Sequence, residues 1–149
     1  MNIAYLPQEQ RGPALDLAWE TFLAYEAPDY SPEGAAAFQA FLRDEQRIAA
    51  LEMWGAYDGD GALAGMIATR SQRRHISLFF VDQRRLGQGV GKQLFQALLP
   101  LCPGPLLTVN SSPYAVPAYE RLGFIADGPE RQEDGIRYIP MTLTVPEQR

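Results

Sequence analysis

Residues 79–95 read Phe79-Phe80-Val81-Asp82-Gln83-Arg84-Arg85-Leu86-Gly87-Gln88-Gly89-Val90-Gly91-Lys92-Gln93-Leu94-Phe95, an apolar strand followed by a glycine-rich turn and then a helix. Gly87, Gly89 and Gly91 alternate, and positions without a side chain let main-chain N–H groups approach a ligand closely. Leu94, Phe95, Leu98 and Leu99 then recur at helical spacing, so the turn feeds a helix N-terminus. That end of a helix carries unsatisfied N–H groups and about +0.5 of a charge. The expected ligand is a diphosphate.

Two common phosphate-binding signatures do not fit. A Walker loop needs Gly five positions before its Gly-Lys pair and Ser or Thr after it, but Leu86 and Gln93 stand there. The dinucleotide fingerprint, counted from Gly87, meets Lys92 at its third glycine. Its acidic residue roughly 20 positions on is also missing, since residues 108–112 hold none.

A second stretch is equally patterned: Asn110-Ser111-Ser112-Pro113-Tyr114-Ala115-Val116-Pro117-Ala118-Tyr119-Glu120-Arg121-Leu122-Gly123-Phe124. Gly123 reads as a helix C-cap before a strand. Between the two stretches, residues 100–105 close a helix and residues 106–109 form a short apolar strand. That strand is expected to lie parallel to the one ending at Val81, in a right-handed βαβ unit.

Upstream, residues 51–57 and 62–69 flank Asp58-Gly59-Asp60-Gly61, a hairpin signal, and a strand over 75–81 follows. Residues 2–6 suit a first strand. Pro13 suits a helix start, with Leu15, Trp19, Phe22 and Leu23 expected on its buried face. Ser31-Pro32-Glu33 starts a second helix, with Phe38, Phe41 and Leu42 as its apolar stripe.

Taken together, the motifs resemble the GNAT acyl-CoA N-acyltransferase superfamily over residues 50–143. The glycine stretch is similar to its pyrophosphate loop, with the family's glycine pair falling on Gly89 and Gly91. Leu86 departs from the usual Gln or Arg before the pair. The second stretch resembles the family's Asn-x-x-Ala-x-x-x-Tyr-Glu-Lys-Leu-Gly-Phe segment, with Ser112 for the Asn and Arg121 for the Lys. The residues 135–141 resemble the family's last strand. The resemblance implies a mixed α/β fold: a central, mostly antiparallel sheet splayed at its two central strands, with helices on both faces.

It also implies roles. Acetyl-CoA would lie on Phe79, Phe80, Val81, Gly87, Gln88, Gly89, Val90, Gly91 and Lys92, with Ser112 a further contact. A main-chain N–H near Phe80 or Val81 would meet the oxyanion. Tyr119 occupies the place of the acid that protonates the leaving thiolate. The loop between the first two helices flanks the acceptor in such proteins, so Glu26, Asp29 and Tyr30 are candidate amine contacts. A lysine-like amine has a pKa of about 10.4 and needs a base. Some relatives use a glutamate on a central strand, which neither Ser77 nor Leu107 provides. His75, the only histidine, is the first candidate base, since its ordinary pKa of about 6.5 suits the task, with Glu26 or Glu52 behind it.

Composition sets bounds. The 149 residues fit one domain spanning 1–149, and 46% hydrophobic with 21% charged content is ordinary for a globular chain. Within residues 70–92, six cations (Arg70, Arg73, Arg74, Arg84, Arg85, Lys92) face one carboxylate, Asp82, although the whole chain carries −5. A cationic segment on an acidic protein suits a polyphosphate cofactor better than nucleic acid. No apolar run reaches membrane-span length, and the N-terminus lacks a signal-like pattern. One cysteine, Cys102, excludes an internal disulfide and fits a cytoplasmic location. One His and one Cys offer no metal-ligand spacing.

Three functions follow: an N-acetyltransferase acting on a small-molecule or peptide amine in a ternary complex, a coenzyme-A-binding sensor without turnover, and an interaction protein using its arginine-rich segment. The acceptor's identity and the oligomeric state, a homodimer included, stay open at this level.

Overall fold

A computed structural model describes residues 1–147. β1 (Asn2–Tyr5) leads to α1 (Gly12–Thr21), which passes directly into a π turn over Phe22–Glu26. α2 (Pro32–Arg43) and α3 (Glu45–Ala49) follow, then the antiparallel strands β2 (Glu52–Tyr57), β3 (Leu63–Arg70) and β4 (His75–Val81). α4 (Val90–Leu98), β5 (Leu106–Ser111) and α5 (Val116–Leu122) come next. β6 (Ile125–Ala126), β7 (Arg131–Glu133) and β8 (Ile136–Thr144) end the chain. The strand order is β1-β2-β3-β4-β5-β8-β6, with β7 paired to β8. No helix among the described residues is long and apolar enough to cross a membrane.

Local chemistry accounts for the boundaries. Ser31 caps α2, its hydroxyl accepting from the Gly34 N–H at 3.1 Å, with Pro32 in the first turn. Asp58 Oδ1 accepts from the Asp60 and Ala62 N–H groups and fixes the β2–β3 turn. Gly123 ends α5 at φ +107°, as its place in the sequence predicts.

One expectation about α1 is corrected. Its fully buried positions are Ala14 and Ala18, small residues that let the helix lie close to the sheet; Phe22, the first residue of the π turn, is buried as expected, while Leu23 is 47% exposed. The π turn adds a residue to the last turn and rotates Leu23 outward.

Each face of the sheet carries its own apolar core. α1 and α2 cover Met53, Met66, Leu78 and Phe80 on one face. α4 and α5 cover Ile67, Ile76, Leu107 and Met141 on the other. Ile67, Leu94 and Leu107 are fully buried, and truncating any of them to alanine is expected to cost about 2–5 kcal/mol.

The feature that positions the site is in the middle of the sheet. β4 and β5 are parallel but pair only at His75↔Thr108 and Ile76↔Val109. Beyond those residues β4 pairs only with β3, and β5 only with β8. The two central strands therefore part, leaving a slot that opens towards the glycine loop.

Candidate active site

The Asp82 N–H bonds the Ala64 carbonyl at 2.8 Å. Antiparallel pairing alternates, so Phe80 and Leu78 also turn their main-chain groups to β3, while Phe79 and Val81 turn theirs into the slot. Of the two residues expected near the oxyanion, Val81 turns its main chain into the slot and Phe80 does not. The Val81 carbonyl is occupied by Gln83 Nε2 at 3.1 Å.

Past Val81 the chain turns on Asp82. This buried carboxylate accepts from the Arg84 N–H and guanidinium at 2.9–3.2 Å, which holds it below the usual carboxylate range. Arg85 forms an ion pair with Asp58 at 2.6 Å, and Arg73 one with Glu52 at 2.8 Å. Three of the six cations in the basic segment are therefore already paired, which weakens its reading as an anionic docking face.

Gly89 takes a left-handed conformation, φ +73°, as the N-cap of α4. Gly91 packs where a Cβ would touch Val81 and Phe79. Among the described residues, the N–H groups of Gly87, Gly89, Val90, Gly91 and Lys92 have no protein acceptor; the first α4 amide with a partner is Gln93, bonded to the Gly89 carbonyl at 3.0 Å. Five unpaired donors with a helix N-terminus among them form an anion cradle at the mouth of the slot. Leu86 is 69% exposed and contributes no polar group. The cradle is a main-chain structure, which fits a diphosphate-bearing cofactor such as acetyl-CoA.

At the inner end of the slot lies a cavity of ≈ 170 Å³. Glu26 and Tyr30 enter it from the π turn and the segment after it, Ser77, Phe79 and Phe80 from β4, and Ser112 and Tyr119 from the β5–α5 side. An α-helical continuation of α1 would have aimed Glu26 elsewhere. The Ala27 N–H reaches the Phe22 carbonyl, the wider π spacing that redirects the carboxylate inward.

Burial pushes the Glu26 carboxyl up, a hydrogen bond from the Ser112 hydroxyl pulls it back, and Asp29 adds a further upward push. The same Ser112 oxygen accepts from the Ala115 N–H at 3.2 Å. Tyr119 is buried between Phe79 and Phe124, with ring centroids at 6.0 and 5.4 Å. Burial and then the Glu26 charge push its phenol well above the ordinary range, so it stays protonated. Its hydroxyl has no protein partner among the described residues. Tyr30 is likewise raised, first by burial and then by Glu26.

Three candidates lie elsewhere. His75 sits at the closed end of the β4–β5 pair, its Nδ1 2.7 Å from Thr108 Oγ1, and does not line the cavity. Burial and Arg70 push its imidazole down to about 4. Glu52 is held by Arg73. Asp29 also stays off the cavity wall, where its carboxylate lies 3.8 Å from the Arg137 guanidinium and its carbonyl accepts from Arg137 at 3.1 Å. Ser77 was passed over in the sequence because it is not a glutamate; it lines the cavity, and its hydroxyl is buried without a partner.

Ile136, which follows the β7–β8 turn, also lines the cavity. That turn rests on α2, where Gly34 and Gly135 meet so closely that a Cβ on either would overlap the other's neighbourhood.

Residues 26–145 match the family model of the acetyltransferase (GNAT) domain. The chain belongs to this family. Among curated relatives, the GNAT domain is similar to peptidyl-lysine N-acetyltransferase YjaB of Salmonella typhimurium, 33% identical over 97 residues that cover 63% of this chain and 65% of that protein. The match thus spans a little under two thirds of the relative's length. Its fold is shared with the GCN5-related N-acetyltransferase of Rhodopseudomonas palustris (TM-score 0.81, 22% identity, covering 96% of this chain and 94% of that one). It is shared also with the PaiA N-acetyltransferase of Thermoplasma acidophilum solved with coenzyme A (TM-score 0.69, 16% identity, 97% and 99% covered). The splayed, mostly antiparallel sheet with helices on both faces is therefore the fold that the sequence motifs implied.

Proposed function

We propose that this GNAT domain transfers an acetyl group from acetyl-CoA directly to a primary amine, with Glu26 as base and Tyr119 as acid. The observation that carries the reading is convergence: a raised carboxylate and an unpartnered phenol face one cavity, at the end of a slot whose mouth is lined by five free amides. Acetyl-CoA would supply the activated thioester. The amides of residues 87–92 would hold its diphosphate, and the main chain of Phe79 and Val81 would flank the portion in the slot.

Glu26 takes the proton from the incoming ammonium, freeing the lone pair that forms the new N–C bond. The C–S bond breaks, and Tyr119 donates its hydrogen bond and then its proton to the sulfur. As the amide forms, its nitrogen sheds a second proton, which returns to the phenolate through water, and Glu26 releases the first to solvent. The Phe79 or Val81 N–H faces the oxygen that becomes negative in between. Ser112 holds Glu26 in place from one side, which makes it a positioning residue in this reading.

A lysine side chain on a peptide is the acceptor we favour, because the curated relative named above acts on peptidyl lysine. Release of free thiol from acetyl-CoA, measured with lysine peptides and a panel of small amines, tests the proposal. Turnover with an alkylamine supports it. Tight coenzyme A binding with no thiol release from any amine would favour the sensor reading instead.

A further inference from the structure

Two segments flank the acceptor cavity, the π turn after α1 and the connection between β5 and α5, and they are joined twice. Inside, Ser112 and Glu26 meet on the wall of one cavity. Outside, Tyr25 and Tyr114 stack with ring centroids 5.8 Å apart and an interplanar angle of 27°. Tyr25 precedes Glu26 and Tyr114 follows Ser112 by two, so the second link lies alongside the first.

The outer link is unlike a packing contact. Tyr25 is 39% exposed and Tyr114 49%, and among the described residues neither hydroxyl has a hydrogen-bond partner. A stacked pair covers one face of each ring, and both residues still keep more than a third of their surface exposed. An open tyrosine face carries negative quadrupole charge and attracts a cation within about 6 Å of its centroid. Among the described residues no cationic side chain lies over either ring; the Arg137 guanidinium is bound by Glu130 at 2.9 Å and by Asp29. The nearest charge in sequence is the Glu26 carboxylate, which lies further in.

We propose that the Tyr25–Tyr114 pair is a cation-recognising threshold of the acceptor site, which takes the alkylammonium end of the acceptor on its open ring faces before Glu26 receives it. The inference rests on the acyl-transfer reading for the direction of travel and adds a substrate class to it. The acceptor is a charged amine on a flexible aliphatic stem, whose methylenes can follow the ring surface. An arylamine, uncharged at neutral pH, gains nothing from the pair.

The test uses probes that cannot be acetylated, on the full chain saturated with coenzyme A. A short peptide carrying trimethyllysine is compared with the same peptide carrying the uncharged tert-butyl isostere. The wild type should bind the trimethyllysine peptide at least about fivefold more tightly. Tyr25→Leu and Tyr114→Leu keep apolar area but lack the ring, and each should reduce that preference to about twofold or less. Tyr25→Phe and Tyr114→Phe should retain it. Coenzyme A affinity, unchanged in all four variants, reports that each is folded. A wild type with no preference, or leucine variants that keep it, would overturn the proposal. If the preference holds while no amine yields free thiol, the threshold stands and only the turnover reading falls.

Discussion

The Ser112 hydroxyl accepts from the Ala115 N–H at 3.2 Å and shares one cavity wall with the Glu26 carboxylate, whose pKa it pulls down against burial, so the start of α5 and the turn that ends α1 meet at one site. That relationship spans the splay between β4 and β5 and holds a carboxylate where burial raises its pKa.

Replacing Glu26 by glutamine keeps size and polarity but removes the proposed base. The value of kcat/KM for an amine acceptor should fall by roughly 10²–10⁴. In the wild type, kcat/KM should rise with pH through a limb set above the ordinary glutamate value of about 4.3, because Glu26 must lose its proton to act. That limb should be absent from the variant. A pH–rate series on both proteins checks the prediction.

Tyr119→Phe separates chemistry from packing. The ring contacts with Phe79 and Phe124 remain, and no protein hydrogen bond is lost, so the thermal midpoint should barely move. The turnover number should drop by about 10²-fold or more. Thiol release and a thermal melt on the same preparation give both numbers.

Gly34→Ala places a methyl group against the Gly135 carbonyl, main chain that cannot rotate away. The β7–β8 turn must shift from α2, at a cost of about 1–3 kcal/mol. Because Ile136 follows that turn and lines the cavity, KM for the amine should rise while KM for acetyl-CoA holds. Denaturant unfolding and a two-substrate kinetic grid measure the two effects.

His75 makes a prediction about stability. Its pKa is about 4 in the folded chain and about 6.5 when unfolded, so between those values the unfolded chain binds more protons. Stability should therefore fall as pH drops from about 6.5 towards 4, and His75→Gln should flatten that part of the curve. Its activity should stay close to wild type, since the imidazole lies outside the cavity.

The strand-turn-helix at the glycines, the β2–β3 hairpin, the Ser31 and Gly123 caps and the parallel β5 were legible because each rests on local chemistry: glycine where φ is positive, a hydroxyl where a helix needs a cap. The base was not. A π turn has no residue signature, so the rotation that sends Leu23 outward and Glu26 inward leaves no trace in the apolar spacing of α1. His75 looked suited on its ordinary pKa, but parallel pairing sets it beside Thr108 at the closed end of the slot, a tertiary fact. The ion pairs within the arginine-rich segment were hidden for the same reason, since the partners Asp58 and Glu52 are distant in sequence.

The account depends on free amides between Gly87 and Lys92 gripping a diphosphate. Isothermal titration of coenzyme A against pantetheine, which shares the thiol arm but lacks the diphosphate, tests that grip without requiring turnover. Coenzyme A should bind at least about a hundredfold more tightly, as expected for a charge-assisted contact with several N–H donors at a helix start. Equal affinity for the two would contradict the cradle and the acyl-transfer reading built on it.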